Sequence, residues 1–143
     1  MFNLARRVGP AGKIYAEDFS DYAMDDLKTR AAERNLKNIF TIVGTKDDPQ
    51  PPEGLFDMVF FHATFNFIKD SVTLINNLAP SLKSDGKVVL VEMEKSRAVA
   101  LDGKPVPDSF YSRQEYLDIF SKTVFEVDRI DDTVAPHNTI FVL

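Results

Sequence analysis

Polar side chains follow short apolar runs at three places in this sequence, and side chains of these types could do chemistry. Asp18 ends the first run, Asp47 follows the second, and His62 follows the third. If the runs are parallel strands, their carboxyl ends open into a crevice where ligands bind. A carboxylate there can accept two hydrogen bonds from sugar hydroxyls. A histidine there can act as a general base, because the ordinary pKa of this side-chain type lies near neutrality.

Each of these residues also has an ordinary structural explanation. On composition alone, an aspartate at a strand end, such as Asp18, is more often a cap for a helix or a turn. Asp47 and Asp48 stand in an acidic, proline-rich segment, and for Asp48 a solvated turn before Pro49 is the better interpretation. A lone histidine such as His62 is more often a packing or surface residue. The residues alone therefore leave both explanations open.

The elements that must position these side chains alternate between short apolar runs and amphipathic stretches. The alternation predicts an α/β fold, a Rossmann-like three-layer sandwich with a mostly parallel sheet. Ser20, Asp70 and Ser112 are predicted to begin helices, and the helical period after Ser20 puts Tyr22 on the buried face. Residues 84–86 are a predicted turn. The predicted strands are 14–18, 39–43, 56–61 and 87–92, with an antiparallel closing pair at 124–130 and 139–143.

Composition limits the classes of partner and compartment. The chain has 143 residues, 44% of them hydrophobic, which predicts a single domain over residues 1–143 with a buried core. The formal net charge of -5 gives no positive field to attract nucleic acid or anionic lipid. The lack of cysteine excludes disulfides and thiolate metal sites and fits a reducing compartment. We therefore expect a cytoplasmic protein without a metal site, a nucleic-acid partner or a membrane partner.

The order of several short motifs carries a resemblance to a known family. Residues 4–18 run from a helix into a strand that ends at Asp18. The motifs that follow are NI at 38–39, GTKDDP at 44–49, FDMV at 56–59 and LKSDGK at 82–87, before the apolar run VVLVE at 88–92. In this order and at these spacings, they resemble class I S-adenosylmethionine-dependent methyltransferases from Leu4 onward.

The resemblance implies S-adenosylmethionine as the cofactor, together with residues that would hold it. An acidic residue at the end of the corresponding strand binds the ribose in that family, which implies this role for Asp18, with Phe19 beside it. Thr45 and Asp47 follow the next strand, where the chain of the family passes the adenine. The resemblance therefore implies that these two residues contribute to cofactor binding as well.

The loop after residue 61 shapes the pocket for the methyl acceptor in this family, which makes His62 the one candidate catalytic residue. Related methyltransferases tend to carry an acidic residue and histidines in this loop. This chain has Ala63, Asn66 and Phe67 at those places. The catalytic residues and the acceptor are therefore not assigned by the resemblance.

A strand and a glycine-rich turn of the family have no counterpart in the sequence. The six glycines are Gly9, Gly12, Gly44, Gly54, Gly86 and Gly103, and no pair forms a Gly-x-Gly turn between a strand and a helix. We therefore expect a domain that is incomplete at its N-terminus and lacks the strand between residues 14–18 and 56–61. Direct pairing of these two strands, a strand from a partner or second copy, or a longer gene product would each close the gap. We favour direct pairing, or a homodimer through the exposed strand edges.

The resemblance, together with the missing glycine-rich turn, leaves two functions from different classes. The first is methyl transfer from S-adenosylmethionine to an unknown acceptor, with Asp18 anchoring the ribose and the rate coming mostly from positioning. The second is a pseudoenzyme or protein-interaction module that keeps the methyltransferase scaffold and does not bind the cofactor. The glycine-rich turn is the sequence feature that separates them.

Overall fold

The computed structural model describes residues 1–45, 49, 51–96, 110–133 and 137–143. The described helices are α1 (Phe2–Val8), α2 (Asp21–Glu33), α3 (Ser71–Leu78) and α4 (Arg113–Phe120), and the described strands are β1 (Ile14–Asp18), β2 (Ile39–Val43), β3 (Phe56–His62), β4 (Leu82–Glu92), β5 (Arg129–Asp131) and β6 (Thr139–Val142). The chain divides into two compact units, Met1–Pro51 and Pro52–Leu143. Within the described residues, no helix combines the length and apolar character needed to cross a membrane.

The first unit is built on a parallel pair of strands with a crossover helix. β1 and β2 pair in register from Ile14 opposite Ile39 to Asp18 opposite Val43. The connecting helix α2 begins where the sequence predicts, because the Ser20 side chain accepts a hydrogen bond from the backbone N–H of Ala23 at 3.2 Å. This strand–helix–strand arrangement brings the carboxyl ends of β1 and β2 side by side.

The second unit is a mixed sheet with the strand order β3-β4-β6-β5. β3 and β4 are parallel, whereas β6 is antiparallel to both β4 and β5. The predicted antiparallel closing pair is therefore confirmed. Asp70 and Ser112 begin α3 and α4 as predicted, and Ser112 forms a capping box with Glu115.

Apolar side chains from the sheet, α3, α4 and the turn after β3 form the core of the second unit. Aromatic rings dominate it: Tyr116 lies 4.9 Å from Phe141 and 6.0 Å from Phe65, measured between ring centroids. Contacts of this kind contribute beyond simple burial of area. The buried residues of this cluster are Phe65, Ile75, Val88, Leu90, Tyr116, Phe120, Phe141 and Leu143.

Direct pairing of the strands that end at Asp18 and His62 is a prediction that the structure contradicts. β1 belongs to a two-stranded sheet with β2, and β3 belongs to the four-stranded sheet of the other unit. Each strand pairs with the next parallel strand along the chain, through α2 or α3. Such local pairing closes shorter loops than a β1–β3 pair would require, which lowers its entropic cost.

Two boundaries also differ from the sequence prediction. Residues 84–86 lie inside β4, where the pairing with β3 changes register between Phe56 and Met58, so the predicted turn is an irregularity within a strand. The first closing strand is only Arg129–Asp131. Its predicted start is displaced because the N–H of Val124 donates to the side-chain oxygen of Asn76 at 2.9 Å rather than to a strand.

Candidate functional site

Asp18 lies at the carboxyl end of β1, the position that the sequence predicts. Its Oδ1 accepts a hydrogen bond from the backbone N–H of Ser20 at 2.9 Å. Its carbonyl accepts one from the N–H of Gly44 at 3.2 Å, which joins the ends of β1 and β2. Asp18 is half-buried, and Oδ2 has no protein partner among the described residues. The residue therefore fulfils the ordinary capping role with one oxygen, and its other oxygen makes no hydrogen bond to the described residues.

Two exposed aromatic side chains adjoin Asp18. Phe19 follows it directly and is 59% exposed, and Tyr22 in the first turn of α2 is 84% exposed. The prediction that Tyr22 faces the core is wrong: α2 buries Met24 and Ala31 instead. Both side chains are exposed to solvent.

The remaining residues predicted to bind the cofactor follow β2. Thr45 is exposed and comes one residue after Gly44, whose N–H bonds to Asp18. The structure thus places Asp18, Phe19 and Thr45 at the same edge of the β1–β2 sheet. Asp47, with its neighbour Asp48, lies outside the described residues, so its role stays a prediction.

His62 ends β3 in the second unit, and its side chain is exposed. The imidazole ring lies nearly parallel to the ring of Phe60, with a centroid distance of 6.4 Å and an angle of 7° between the planes. Ala63 follows with a backbone φ of 52°, a left-handed conformation that is uncommon without glycine. Phe67, at the far end of this loop, is 75% exposed. His62 and Phe67 therefore flank a sharply turned loop at the carboxyl end of β3.

Glu92, at the end of β4, is a site residue that the sequence reasoning missed. Its side chain is fully buried and accepts hydrogen bonds from the backbone N–H groups of Thr64 at 2.9 Å and Phe65 at 3.0 Å. It also accepts one from the side-chain amide of Asn66 at 3.2 Å. Burial raises the pKa of Glu92, while the two backbone hydrogen bonds and nearby His62 act in the opposite direction.

Asn66 extends this network from the loop to α4. Its Oδ1 accepts hydrogen bonds from the hydroxyl of Tyr116 at 2.8 Å and from the backbone N–H of Tyr111 at 3.2 Å. Burial, with a smaller contribution from the charge of Glu92, raises the pKa of the Tyr116 hydroxyl, so this group stays a hydrogen-bond donor. Asn66 is therefore a structural link between the loop and α4, a role that its place in the sequence does not indicate.

Glu94 is a second buried carboxylate, two residues beyond Glu92. The guanidinium of Arg113 binds it through Nη2 at 2.7 Å and Nε at 3.1 Å, and the hydroxyl of Thr139 also donates to it. Arg113 also binds Asp132 at 2.9 Å, and both carboxylates raise the pKa of its guanidinium. The period-two alternation of β4 could have predicted the burial of both glutamates. Val88 and Leu90 are buried, and Glu92 and then Glu94 follow at the same spacing of two residues.

Comparison with known proteins decides the family of the chain. A family model described as a methyltransferase domain matches residues 1–134. The chain belongs to this methyltransferase family. The predicted kinship with class I S-adenosylmethionine-dependent methyltransferases and the predicted α/β fold are both confirmed.

Relatives of known name match part of this methyltransferase domain. A demethylmenaquinone methyltransferase from Geobacillus sp. (strain WCH70) is 32% identical over 89 residues, which cover 62% of this chain and 38% of the relative. A nocamycin O-methyltransferase from Saccharothrix syringae is 30% identical over 90 residues, covering 63% of this chain and 32% of the relative. The matched segments thus span less than half the length of these relatives.

Solved structures reproduce the fold over nearly the whole chain. A SAM-dependent methyltransferase from Aquifex aeolicus aligns with a TM-score of 0.85 at 21% identity, covering 98% of this chain and 72% of that chain. The structure of the [4+2]-cyclase SpnF aligns with a TM-score of 0.74 at 18% identity, covering 91% of this chain and 48% of that chain. The scaffold is thus shared by proteins whose names describe different reactions.

Proposed function

We propose that this domain binds S-adenosylmethionine and transfers its methyl group to a small, apolar acceptor. The observation that carries the proposal is the carboxylate of Asp18 at the carboxyl end of β1, whose Oδ2 has no hydrogen-bond partner in the part of the chain that the structure describes. Ligands of parallel α/β sheets bind at this end of the strands. Membership in the methyltransferase family adds the identity of the ligand.

The residues present suit a nucleoside. A carboxylate oxygen of Asp18 can accept hydrogen bonds from a ribose diol, and we assign its neighbour Phe19 to the same site. We assign Thr45 and Asp47 to the same cofactor site, at the end of β2. The bound cofactor supplies a methyl group activated by a positively charged sulfur. The task of the chain is then to orient this group and the acceptor.

The proposed acceptor is an apolar small molecule that contacts the loop after β3. Phe67 is 75% exposed and Phe60 is 44% exposed, which gives this region apolar, planar surface. The matched relatives are named for demethylmenaquinone and nocamycin, which are small molecules. His62 is exposed in this region and is our candidate for a general base where the acceptor must lose a proton.

Calorimetric titration of S-adenosylhomocysteine into wild type and Asp18→Asn tests the cofactor site. Asparagine keeps an oxygen for the N–H of Ser20 and replaces the second acceptor by a donor, so the local fold is preserved. Loss of one charge-assisted hydrogen bond, about 1.5–3 kcal/mol, predicts a 10- to 100-fold weaker Kd, roughly. The matched control is Asp21→Asn, which removes the same charge three residues along and should bind like wild type.

Two results would overturn the cofactor proposal: no heat from the wild type at millimolar ligand, or equal affinity in wild type and Asp18→Asn. The absence of heat would favour the alternative function, an interaction module on a methyltransferase scaffold. Exposed aromatic residues support that alternative, because Tyr22 and Phe67 offer 84% and 75% of their surface. Binding to a macromolecule would then bury these rings.

We also propose a homodimer that forms through exposed strand edges. β3 is an edge strand of the four-stranded sheet and carries Met58 and Phe60, which are 55% and 44% exposed. Sedimentation equilibrium tests this, and a strict monomer at high micromolar concentration would refute it. We further propose a cytoplasmic protein that has neither a nucleic-acid nor a membrane partner. The net charge of -5 supports the absence of these partners, and the lack of cysteine fits a reducing compartment.

A further inference from the structure

Glu92 holds the loop after β3 at three points. A carboxylate without solvent contact is costly unless hydrogen bonds satisfy it, and Glu92 is 0% exposed. The N–H groups of Thr64 and Phe65 both donate to Oε1, and the amide of Asn66 donates to Oε2. Three consecutive residues of one loop therefore converge on a single side chain of a neighbouring strand.

The backbone of Ala63 makes this convergence possible. Its φ of 52° turns the chain directly after β3, while its N–H still donates to the carbonyl of Val91 at 3.1 Å. A left-handed residue of this kind persists only where its surroundings hold it in place. The hydrogen bond from its own N–H to Val91, and the two that the following N–H groups donate to Glu92, supply that restraint.

The side chains left outside the restrained segment are the two that flank it. His62 ends β3, and Phe67 ends the short 3-10 turn Phe65–Phe67. Both side chains are exposed, whereas Phe65 and Asn66 between them are buried. The direction of the flanking side chains therefore depends on how the segment between them is held.

We propose that Glu92 is a positioning residue that fixes the loop from Ala63 to Asn66 and thereby orients His62 and Phe67 toward the methyl acceptor. The inference rests on the proposed function, since that function gives this loop to the acceptor. Glu92 itself has no contact with solvent and acts only through the loop. The substrate class it serves is the apolar, planar acceptor proposed above.

Glu94 offers a comparison that separates positioning from general support of the core. It is 2% exposed and lies two residues from Glu92, so the two carboxylates are matched in burial and chain position. Its partners are Arg113 on α4 and Thr139 on β6, rather than the loop. Neutralising Glu94 should therefore affect stability while leaving the loop in place.

Nuclear magnetic resonance on the full chain tests the proposal with Glu92→Gln, Glu92→Leu and the control Glu94→Gln. The first readout is hydrogen exchange at the N–H groups of Thr64 and Phe65. The internal reference is exchange at Val88 and Leu143, which bond to each other's carbonyls. We expect Glu92→Leu to speed loop exchange at least tenfold relative to the reference, Glu92→Gln to retain part of the protection, and Glu94→Gln to retain all of it.

The second readout uses the imidazole signals of the two histidines. His62 should shift or broaden more in Glu92→Leu than in Glu92→Gln, which removes the same charge, while the signals of His137 stay unchanged and serve as a reference. The proposal is overturned if loop exchange changes only in step with the reference amides, or if Glu94→Gln disturbs the loop equally. If Glu92→Leu does not fold, the comparison of the two glutamine variants still decides.

Titration with S-adenosylhomocysteine keeps this inference separate from the proposed function. Glu92→Gln should bind this ligand with the affinity of wild type, because the assigned ribose-binding residue, Asp18, is unchanged. Failure of wild type to bind would refute the cofactor proposal and leave the loop measurements standing. Unchanged loop signals in Glu92→Leu, together with ligand binding by wild type, would refute the positioning role alone.

Discussion

Removing Arg113 should destabilise the second unit through the carboxylate that it leaves behind. The guanidinium contacts both oxygens of Glu94, at distances of 2.7–3.2 Å, and binds Asp132 with the same Nη2 atom that reaches Glu94. Arg113 is 42% exposed at its side chain, whereas Glu94 is only 2% exposed. The change Arg113→Met keeps much of the apolar stem and deletes the charge.

The expected loss of unfolding free energy follows from the unequal burial of Arg113 and Glu94. Breaking a buried ion pair by removal of one partner costs about 3–5 kcal/mol, because the other charge stays buried without compensation. Since water already reaches Arg113, we expect the low end, about 3 kcal/mol. In Arg113→Met the carboxylate of Glu94 keeps the hydrogen bond from Thr139 and loses its bidentate cation. Neutralising this carboxylate should recover part of the loss, so Glu94→Gln combined with Arg113→Met should be at least ~1 kcal/mol more stable than Arg113→Met alone.

Urea unfolding at pH 7, followed by far-ultraviolet circular dichroism, measures these differences. The matched control is Arg129→Met on β5, an exposed arginine for which the change should stay within about 0.5 kcal/mol. A loss below ~1 kcal/mol for Arg113→Met would refute the reasoning. It would also be refuted if Glu94→Gln combined with Arg113→Met were no more stable than Arg113→Met alone. The cost could not then come from a buried charge that has lost its cation.

Further predictions concern the loop after β3 and its support. Ala63→Gly should raise the free energy of unfolding by about 1 kcal/mol, because glycine adopts a φ of 52° without strain; urea unfolding with no gain in stability would contradict the strain. The pKa of Glu92 is raised above its ordinary value of 4.5, so the native state binds the proton more tightly than the unfolded state does. Wild type should therefore gain stability relative to Glu92→Gln as the pH falls from 7 through this raised pKa, and level off below the ordinary value. A difference that is flat in pH, or that grows toward alkaline pH, would refute this sign. Tyr116→Phe should cost about 1 kcal/mol in urea unfolding through loss of the 2.8 Å hydrogen bond to Asn66, and a neutral result would show that Tyr111 alone satisfies the amide oxygen.

Local sequence signals predict where three helices begin and that Asp18 ends a strand. Ser20, Asp70 and Ser112 all cap helices, because capping depends on residues three positions apart. Asp18 could be placed at a strand end for a similar reason, since an apolar run followed by an acid is a local pattern. Predictions based on contacts within a few residues therefore need little knowledge of the fold.

The hydrogen-bond network around the loop after β3 cannot be predicted from local sequence patterns. Glu92 bonds to residues 26–28 positions away, and Asn66 bonds to the Tyr116 side chain 50 positions away. In the sequence, Glu92 looks like the polar end of a strand, and Tyr22 looks like part of an apolar helical face. Glu92 is buried and Tyr22 is exposed because of the elements that do or do not cover them. Only the tertiary structure determines this.

For the proposed reaction, we expect the loop after β3 and its support to matter more than the sheet does. A methyltransferase from Aquifex aeolicus and the [4+2]-cyclase SpnF both align with this chain at TM-scores of 0.85 and 0.74, so the scaffold admits more than one named chemistry. What differs among proteins on one scaffold is the set of loops at the carboxyl ends of the strands. In this chain, Glu92 and Asn66 tie one such loop to β4 and α4 by hydrogen bonds that burial strengthens. We therefore expect that substitutions at these two buried residues change the choice of acceptor, while leaving cofactor binding and the sheet intact.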